Sequence, residues 1–243
     1  MKLFILFFLI ISRLIAKEEI TLTIGGGAYI KTQPYKQSKD LVLPSPVIFY
    51  ENSIAYIRWS RVGVYFAGQK KENFSWGLSL TAMPRTYGYD DISGMQERKN
   101  SWEGGISFAA KKKDTYFELL YLDDILNGKD RYVLQAEIGS KFKVAKMNFY
   151  PAVFAIYQSK NFLNYYYGIE QNEVATSGFF EFHPNGGILY GAQTYISYPL
   201  TKKLSIFSNI RIDKIPSSVQ NSPLVTEDFI YSGILSLLYT FKI

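Results

Sequence analysis

Between Gly233 and Ile243 every second residue is apolar or aromatic: Leu235, Leu237, Tyr239, Phe241 and Ile243. Ser236, Leu238, Thr240 and Lys242 fall between them. Side chains alternate across the pleat of a β-strand, so this segment has one greasy face and one wetter face. Two other segments repeat the pattern. From Ser101 to Ala110, Trp102, Gly104, Ile106 and Phe108 share one face, and Glu103, Gly105, Ser107 and Ala109 the other. From Tyr132 to Phe142, Tyr132, Leu134, Ala136, Ile138 and Phe142 oppose Gln135, Glu137, Gly139 and Lys141. Along the whole chain, such segments predict strands at 20–30, 47–50, 54–59, 62–67, 74–82, 101–110, 116–122, 132–142, 144–157, 189–199, 204–212 and from 229 onward. Polar connections are predicted at 31–46, 84–100, 161–187 and 216–226. Pro151 predicts irregular pairing within its strand, and Gly25-Gly26-Gly27 predicts bending or a close approach within the first.

Alternation alone leaves two architectures open. A soluble sheet buries its apolar face, whereas a membrane barrel turns that face to lipid and keeps polar residues in the lumen. Met1 to Ala16 tips the balance. Lys2, the apolar run Leu3 to Ile11 and the small Ala16 have the layout of a secretory signal peptide. The run is shorter than the ~20 residues of a helical span, and Arg13 interrupts it. Composition points the same way. Aromatics make up 17%, with 20 Tyr and 18 Phe, which suits girdles at both membrane interfaces. Hydrophobic residues are 47% of the chain, yet mean hydropathy is only -0.05, so apolar and polar positions are finely mixed. The absence of Cys excludes disulfides and thiolate metal sites. The expectation is an all-β protein of the cell outer membrane. Residues 17–243 would form a single closed antiparallel transmembrane β-barrel of about twelve strands, an even number that lets first and last pair.

The candidate chemistry is sparse. Net charge is +6, with Lys111-Lys112-Lys113 the only tight run. That run lies between two predicted strands, and no basic face with stacking aromatics accompanies it, so nucleic acid is not expected as a partner. His183, the only histidine, sits in the turn-like His183-Pro184-Asn185-Gly186-Gly187, and no Gly-x-Ser-x-Gly elbow occurs. Neither hydrolysis nor a zinc site is expected. Asp90-Asp91 and Asp123-Asp124 lack the spacing of a calcium loop. The chain is therefore expected to be no enzyme and to hold no cofactor. Glu103, Glu118, Glu137, Lys141 and Arg211, with Arg131, are expected to face the lumen. There they would pair and plug it, or line a narrow solute path. Tyr165-Tyr166-Tyr167 is expected to anchor at the membrane surface, with an aromatic platform for a partner or glycan as the alternative.

The C-terminal third carries a more specific signal. It contains Tyr166-Tyr167-Gly168-Ile169, then Glu173, Ala175 and Ser177, then Pro184-Asn185-Gly186-Gly187 and Gly191. Tyr198-Pro199-Leu200-Thr201, Ser222-Pro223-Leu224-Val225 and Gly233 with Tyr239-Thr240-Phe241 follow. In these segments the chain resembles the MipA/OmpV family (MltA-interacting protein) of outer-membrane proteins. Pro34-Tyr35, Pro46 to Tyr50, and Gly94-Met95 before Trp102-Glu103-Gly104-Gly105 agree more loosely. The resemblance implies an outer-membrane barrel in contact with lipid. It also implies a scaffold for peptidoglycan-remodelling enzymes, a murein transglycosylase and a peptidoglycan synthase. A narrow channel for small solutes is the alternative. The family has no catalytic residues to carry over. The residues that carry the resemblance are Tyr166, Tyr167, Gly168, Glu173, Ser177, Pro184, Gly187, Ser222 and Pro223.

Overall fold

The computed structural model describes residues 21–89, 91–126 and 130–242, and the expected signal peptide lies outside them. The strands follow in chain order: β1 (Thr21–Lys31), β2 (Leu41–Glu51), β3 (Ala55–Arg58), β4 (Arg61–Lys71), β5 (Phe74–Arg85) and β6 (Ser101–Lys112). They continue with β7 (Thr115–Asp124), β8 (Val133–Ser140), β9 (Phe142–Val144), β10 (Met147–Gln158), β11 (Gly187–Pro199), β12 (Leu204–Lys214) and β13 (Phe229–Lys242). Each pairs antiparallel with its neighbour, except that β8 and β9 both pair with β10 as two halves of one stave. The result is a barrel of twelve staves. It closes where β1 meets β13, from Thr21 opposite Lys242 to Lys31 opposite Ser232. Closure leaves no edge along that seam, which a sheet in lipid requires. Pro151 lies opposite the break between β8 and β9, where a missing N–H costs no ladder bond.

The alternation sorts as a membrane barrel. Leu235, Leu237, Tyr239 and Phe241 are exposed on the outside of β13, while Ile234, Ser236 and Leu238 are buried inside. Outward aromatics fall in two bands. Phe74, Phe142, Tyr198, Tyr239 and Phe241 lie near one rim, and Trp102, Tyr121, Tyr157, Tyr190 and Tyr231 near the other. These are the girdles expected at the two lipid–water interfaces. Among the described residues no helix is long and apolar enough to cross a membrane.

The two rims differ. Short turns at 72–73, 113–114, 145–146 and 200–203 close one end, and both strand termini at the β1–β13 seam lie there. The long connections 32–40, 86–100, 125–132, 159–186 and 215–228 gather at the other. Short turns face the periplasm in this class of barrel, so the long connections lie outside the cell.

Two expectations need correction. The segment 31–46 is not a loop throughout, because β2 begins at Leu41 and carries Pro44 and Pro46 within it. These prolines are tolerated because that part of β2 is an edge. Strand β3 has only four residues, and its hairpin with β4 stops at Trp59 and Ser60. The last contact from β3's side is Trp59 N–H to Ile48 C=O at 2.9 Å. Above it, β2 has no ladder partner on that side among the described residues, and β5 has none beyond Ala82. The second correction concerns 161–187, which is not loop alone. It holds two helices, α1 (Lys160–Tyr167) and α2 (Gln171–Ser177).

Candidate functional site

The outer end is shut by a folded cap. Helix α1 buries Phe162, Leu163, Tyr166 and Tyr167, which the helical period places on one face. Ser159 caps its start by accepting from Phe162 N–H at 3.3 Å. Helix α2 opens on a capping box between Glu170 and Glu173 and ends on Gly178 at φ 73. Phe162, Leu163, Tyr166, Tyr167 and Ile169 pack with Tyr35, Tyr89, Ile92, Ile215, Val219 and Leu224 from the other long connections. The same cluster runs on into Leu120, Leu122, Phe154, Ile156 and Leu189 of the strands, so the cap's core is continuous with the top of the lumen. Burying each large apolar side chain there is worth about 1.5–3 kcal/mol.

The cap's polar centre is Arg98 and Glu173. Their side chains are 6% and 1% exposed. Arg98 Nη2 donates to both Glu173 oxygens at 2.8 and 2.7 Å, and Arg98 Nε to Tyr165 C=O at 2.7 Å. Glu173 also accepts from the N–H groups of Gln96 and Glu170, both at 3.0 Å. Burial disfavours the carboxylate, but these hydrogen bonds outweigh it and hold its pKa below the ordinary 4.5.

The segments that carry the family resemblance build this cap. Tyr166 and Tyr167 lie in its core rather than at the membrane surface, which corrects the anchor expectation. A side chain at Gly168 would strike Asn164 C=O. Ser177 Oγ donates to Glu173 C=O at 2.7 Å, and Ser222 Oγ donates to Tyr167 C=O at 2.7 Å. Pro184 is buried, Pro223 is half-buried, and Gly187 lies against Pro216 and Ser218 with no room for a Cβ. His183 is exposed, between Asn164 Oδ1 at 2.9 Å and Glu181 Oε1 at 2.8 Å.

Below the cap, charges brace the lumen. The β7–β8 register sets Glu118 opposite Glu137. Two facing carboxylates need a cation or donors. Arg61 grips Glu118 with both Nη groups at 2.7 Å, and Arg58 lies 3.8 Å from it. Glu137 accepts from Tyr116 OH and from Gln193 Nε2, each at 2.8 Å. Arg85 Nε donates to Glu103 at 2.9 Å. Arg211 Nε donates to Asp213, and its guanidinium lies 4.1 Å from the Phe154 ring centre. Arg131, expected in the lumen, instead sits in the outer connection against the cap, 3.7 Å from Asp124 and 3.8 Å over the Tyr165 ring. Lys141 stands apart at the lower rim, over Tyr150. Arg61→Ala should leave Glu118 facing Glu137 with too little positive charge. Breaking such a pair costs about 3 kcal/mol, read as an earlier unfolding temperature on a heat-modifiability gel, with partial recovery in Arg61→Lys.

The periplasmic rim is basic. Lys71, Lys112, Lys113, Lys143, Lys146, Lys202 and Lys203 are all exposed there, against the acids Glu51, Glu72 and Asp114. A cavity of about 2310 Å³ opens beside this rim, lined by Lys70, Lys111 and Lys141 below and reaching Lys31, Arg85 and Tyr87 beneath the cap.

Sequence reasoning missed Arg58, Arg61, Arg85, Arg98 and Asp213. A signal existed for some of them. Asp213 is two residues from Arg211, so the strand period puts both on one face. Arg98 lies in a connection and leaves no periodic trace.

A family model described as MltA-interacting protein MipA matches residues 24–241. The chain belongs to this family. It is 25% identical over 235 residues to the MltA-interacting protein of Escherichia coli (strain K12), covering 94% of this chain and 92% of that one. It is 26% identical over 163 residues to the outer membrane protein Omp26La of Vibrio anguillarum, covering 66% and 63%. The match to OmpV of Vibrio cholerae is 24% over the same length. Membership and architecture agree, and this member of the MipA family is an outer-membrane β-barrel.

Proposed function

We propose that this MipA-family barrel is a non-enzymatic scaffold that docks peptidoglycan-remodelling enzymes on its periplasmic rim. The observation that carries the reading is the contrast between the two ends. The outer end is closed by a cored cap, while the inner end is open and ringed with lysines. Such a rim attracts acidic protein surfaces and favours rapid encounter. A relative named MltA-interacting protein supports a murein transglycosylase as the first partner to test. A peptidoglycan synthase would be a second.

The rim gives the test. Lys112→Glu, Lys113→Glu, Lys143→Glu and Lys146→Glu together should cut capture of the transglycosylase at least tenfold while the barrel stays heat-modifiable. Added salt should weaken capture by the wild type. Unchanged capture by the charge-reversed barrel would remove the rim from the mechanism. The cavity supports a second reading, a narrow solute channel gated by the cap. That reading requires planar-bilayer conductance that changes when Glu137 or Arg211 is neutralised. A silent wild-type bilayer counts against it.

A further inference from the structure

The barrel wall has a window. Its sill is the β3–β4 hairpin tip, pinned where Trp59 Nε1 donates to Ser45 Oγ at 3.1 Å. One jamb is β2 from Leu41 to Val47, and the other is β5 from Met83 to Arg85. The lintel is the contact between two long connections. Asp91 accepts from Ser38 Oγ at 2.8 Å and from Lys39 N–H at 3.0 Å.

Backbone direction shows that the edges are built to stay open. Ile48 C=O points toward β3, so its strand neighbours of the same parity, Pro46, Pro44 and Val42, face the window too. On the other jamb, Trp102 C=O receives Ile125 N–H from the far side. Its partner Pro84 therefore turns away from β6 and faces the window. Three of the four window-facing strand positions are thus proline, which has no N–H to leave unpaired against lipid. Proline also blocks another strand from zipping onto either edge.

The window leads inward. Pro44 and Pro84 on the jambs line the same cavity as the luminal Leu43, Trp59 and Phe207, so the unpaired stretch of wall borders the lumen directly. Just inside lies an apolar wall of Val47, Phe207, Ile234 and Leu238 with Tyr29, Phe49 and Trp59 against it. At its top stands Lys31, only 7% exposed. Its ammonium donates to Thr86 C=O and lies 5.1 Å over the Tyr87 ring. Among the described residues no carboxylate stands within salt-bridge distance of it, and an ammonium has donors to spare. Nearby Arg85 and Arg211 are already matched by Glu103 and Asp213.

We infer that this window and chamber bind a long-chain carboxylate entering sideways from the outer leaflet. The carboxylate pairs with Lys31, and the alkyl chain lies against Leu43, Trp59, Val47 and Phe207. The site is independent of the rim and of any scaffold partner.

Tryptophan fluorescence tests it. Trp76 and Trp102 lie outside the lumen, so Trp76→Phe with Trp102→Phe leaves Trp59 as the only reporter. The protein is placed in phosphatidylcholine nanodiscs and titrated with 9,10-dibromostearate, whose bromines quench on contact. Saturable quenching, reversed by oleate, is expected. Lys31→Met should weaken it at least tenfold and Lys31→Arg should restore it. Leu43→Glu, which places a charge in the window, should abolish it. All three variants are first shown to keep the heat-modifiable band, and Leu43→Glu serves if Lys31→Met does not fold. Equal quenching by the methyl ester, or by nanodiscs of dibrominated phosphatidylcholine alone, overturns the carboxylate site. So does quenching that neither Lys31→Met nor Leu43→Glu reduces.

Discussion

Arg98→Ala should loosen the cap from the barrel while leaving the barrel itself closed. The substitution leaves Glu173 buried and ionised with its cation gone, and it frees the carbonyls of Tyr165 and Gln96 that Arg98 also holds. An orphaned buried charge costs about 3–5 kcal/mol. Arg98 and Glu173 both lie outside the strand ladder, so this cost is expected as local unfolding of the cap rather than loss of the fold. Hydrogen exchange at the N–H groups of Gln96 and Glu170, both bonded to Glu173, should accelerate on the order of a hundredfold or more. Strand amides of β10 and β11 should not change. Glu173→Gln keeps an acceptor and should do less. Exchange that rises equally in cap and strands would mean that the cap is not a separate unit.

The same latch has a pH dependence with a defined sign. The folded Glu173 carboxyl has its pKa lowered below 4.5, so the folded cap favours the ionised form. The stabilisation is complete above the unfolded pKa and is lost as pH falls through the folded one. The cap should therefore be tight at neutral pH and loosen only as pH falls below the ordinary carboxylate value of 4.5 and through the lower folded one. Arg98→Ala should erase most of this dependence.

Strand period made the barrel readable, because lipid and lumen impose opposite chemistry on successive residues. Gly104, Ile106 and Phe108 against Glu103, Gly105 and Ser107 needed no structure to sort. Two things were hidden. The cap is held by contacts between connections far apart in the chain, such as Arg98 with Glu173 and Ser222 with Tyr167, and no period links such residues. Its helices did leave local marks. Leu163, Tyr166 and Tyr167 have helical spacing, and a Glu170–Glu173 box is followed by Gly178. The run of tyrosines nevertheless invited a membrane-surface reading, because aromatics serve both interfaces and cores. The start of β2 was hidden for the opposite reason. Pro44 and Pro46 announce a loop unless the strand is known to have an open edge, and only the shortness of β3 reveals that.

The glycine triplet of β1 makes a sharper prediction, because its members are not equivalent. β1 is the strand that closes the barrel onto β13. A Cβ at Gly25 would collide with the carbonyl oxygen of Leu237, and one at Gly27 with that of Leu235. A Cβ at Gly26 would meet only Ser45 C=O at 3.8 Å, an ordinary contact. The obstacles at Gly25 and Gly27 are backbone atoms of the seam itself, so nothing flexible can yield. Gly25→Val or Gly27→Val should force β1 away from β13 and prevent closure, a cost above about 4 kcal/mol. An unclosed barrel exposes unpaired strand edges to lipid, which the membrane does not tolerate. Both variants should lack the heat-modifiable band and fall to a small fraction of wild-type level in the outer membrane. Gly26→Ala should keep both. If all three behave alike, the triplet acts through strand flexibility and not through close approach at the seam.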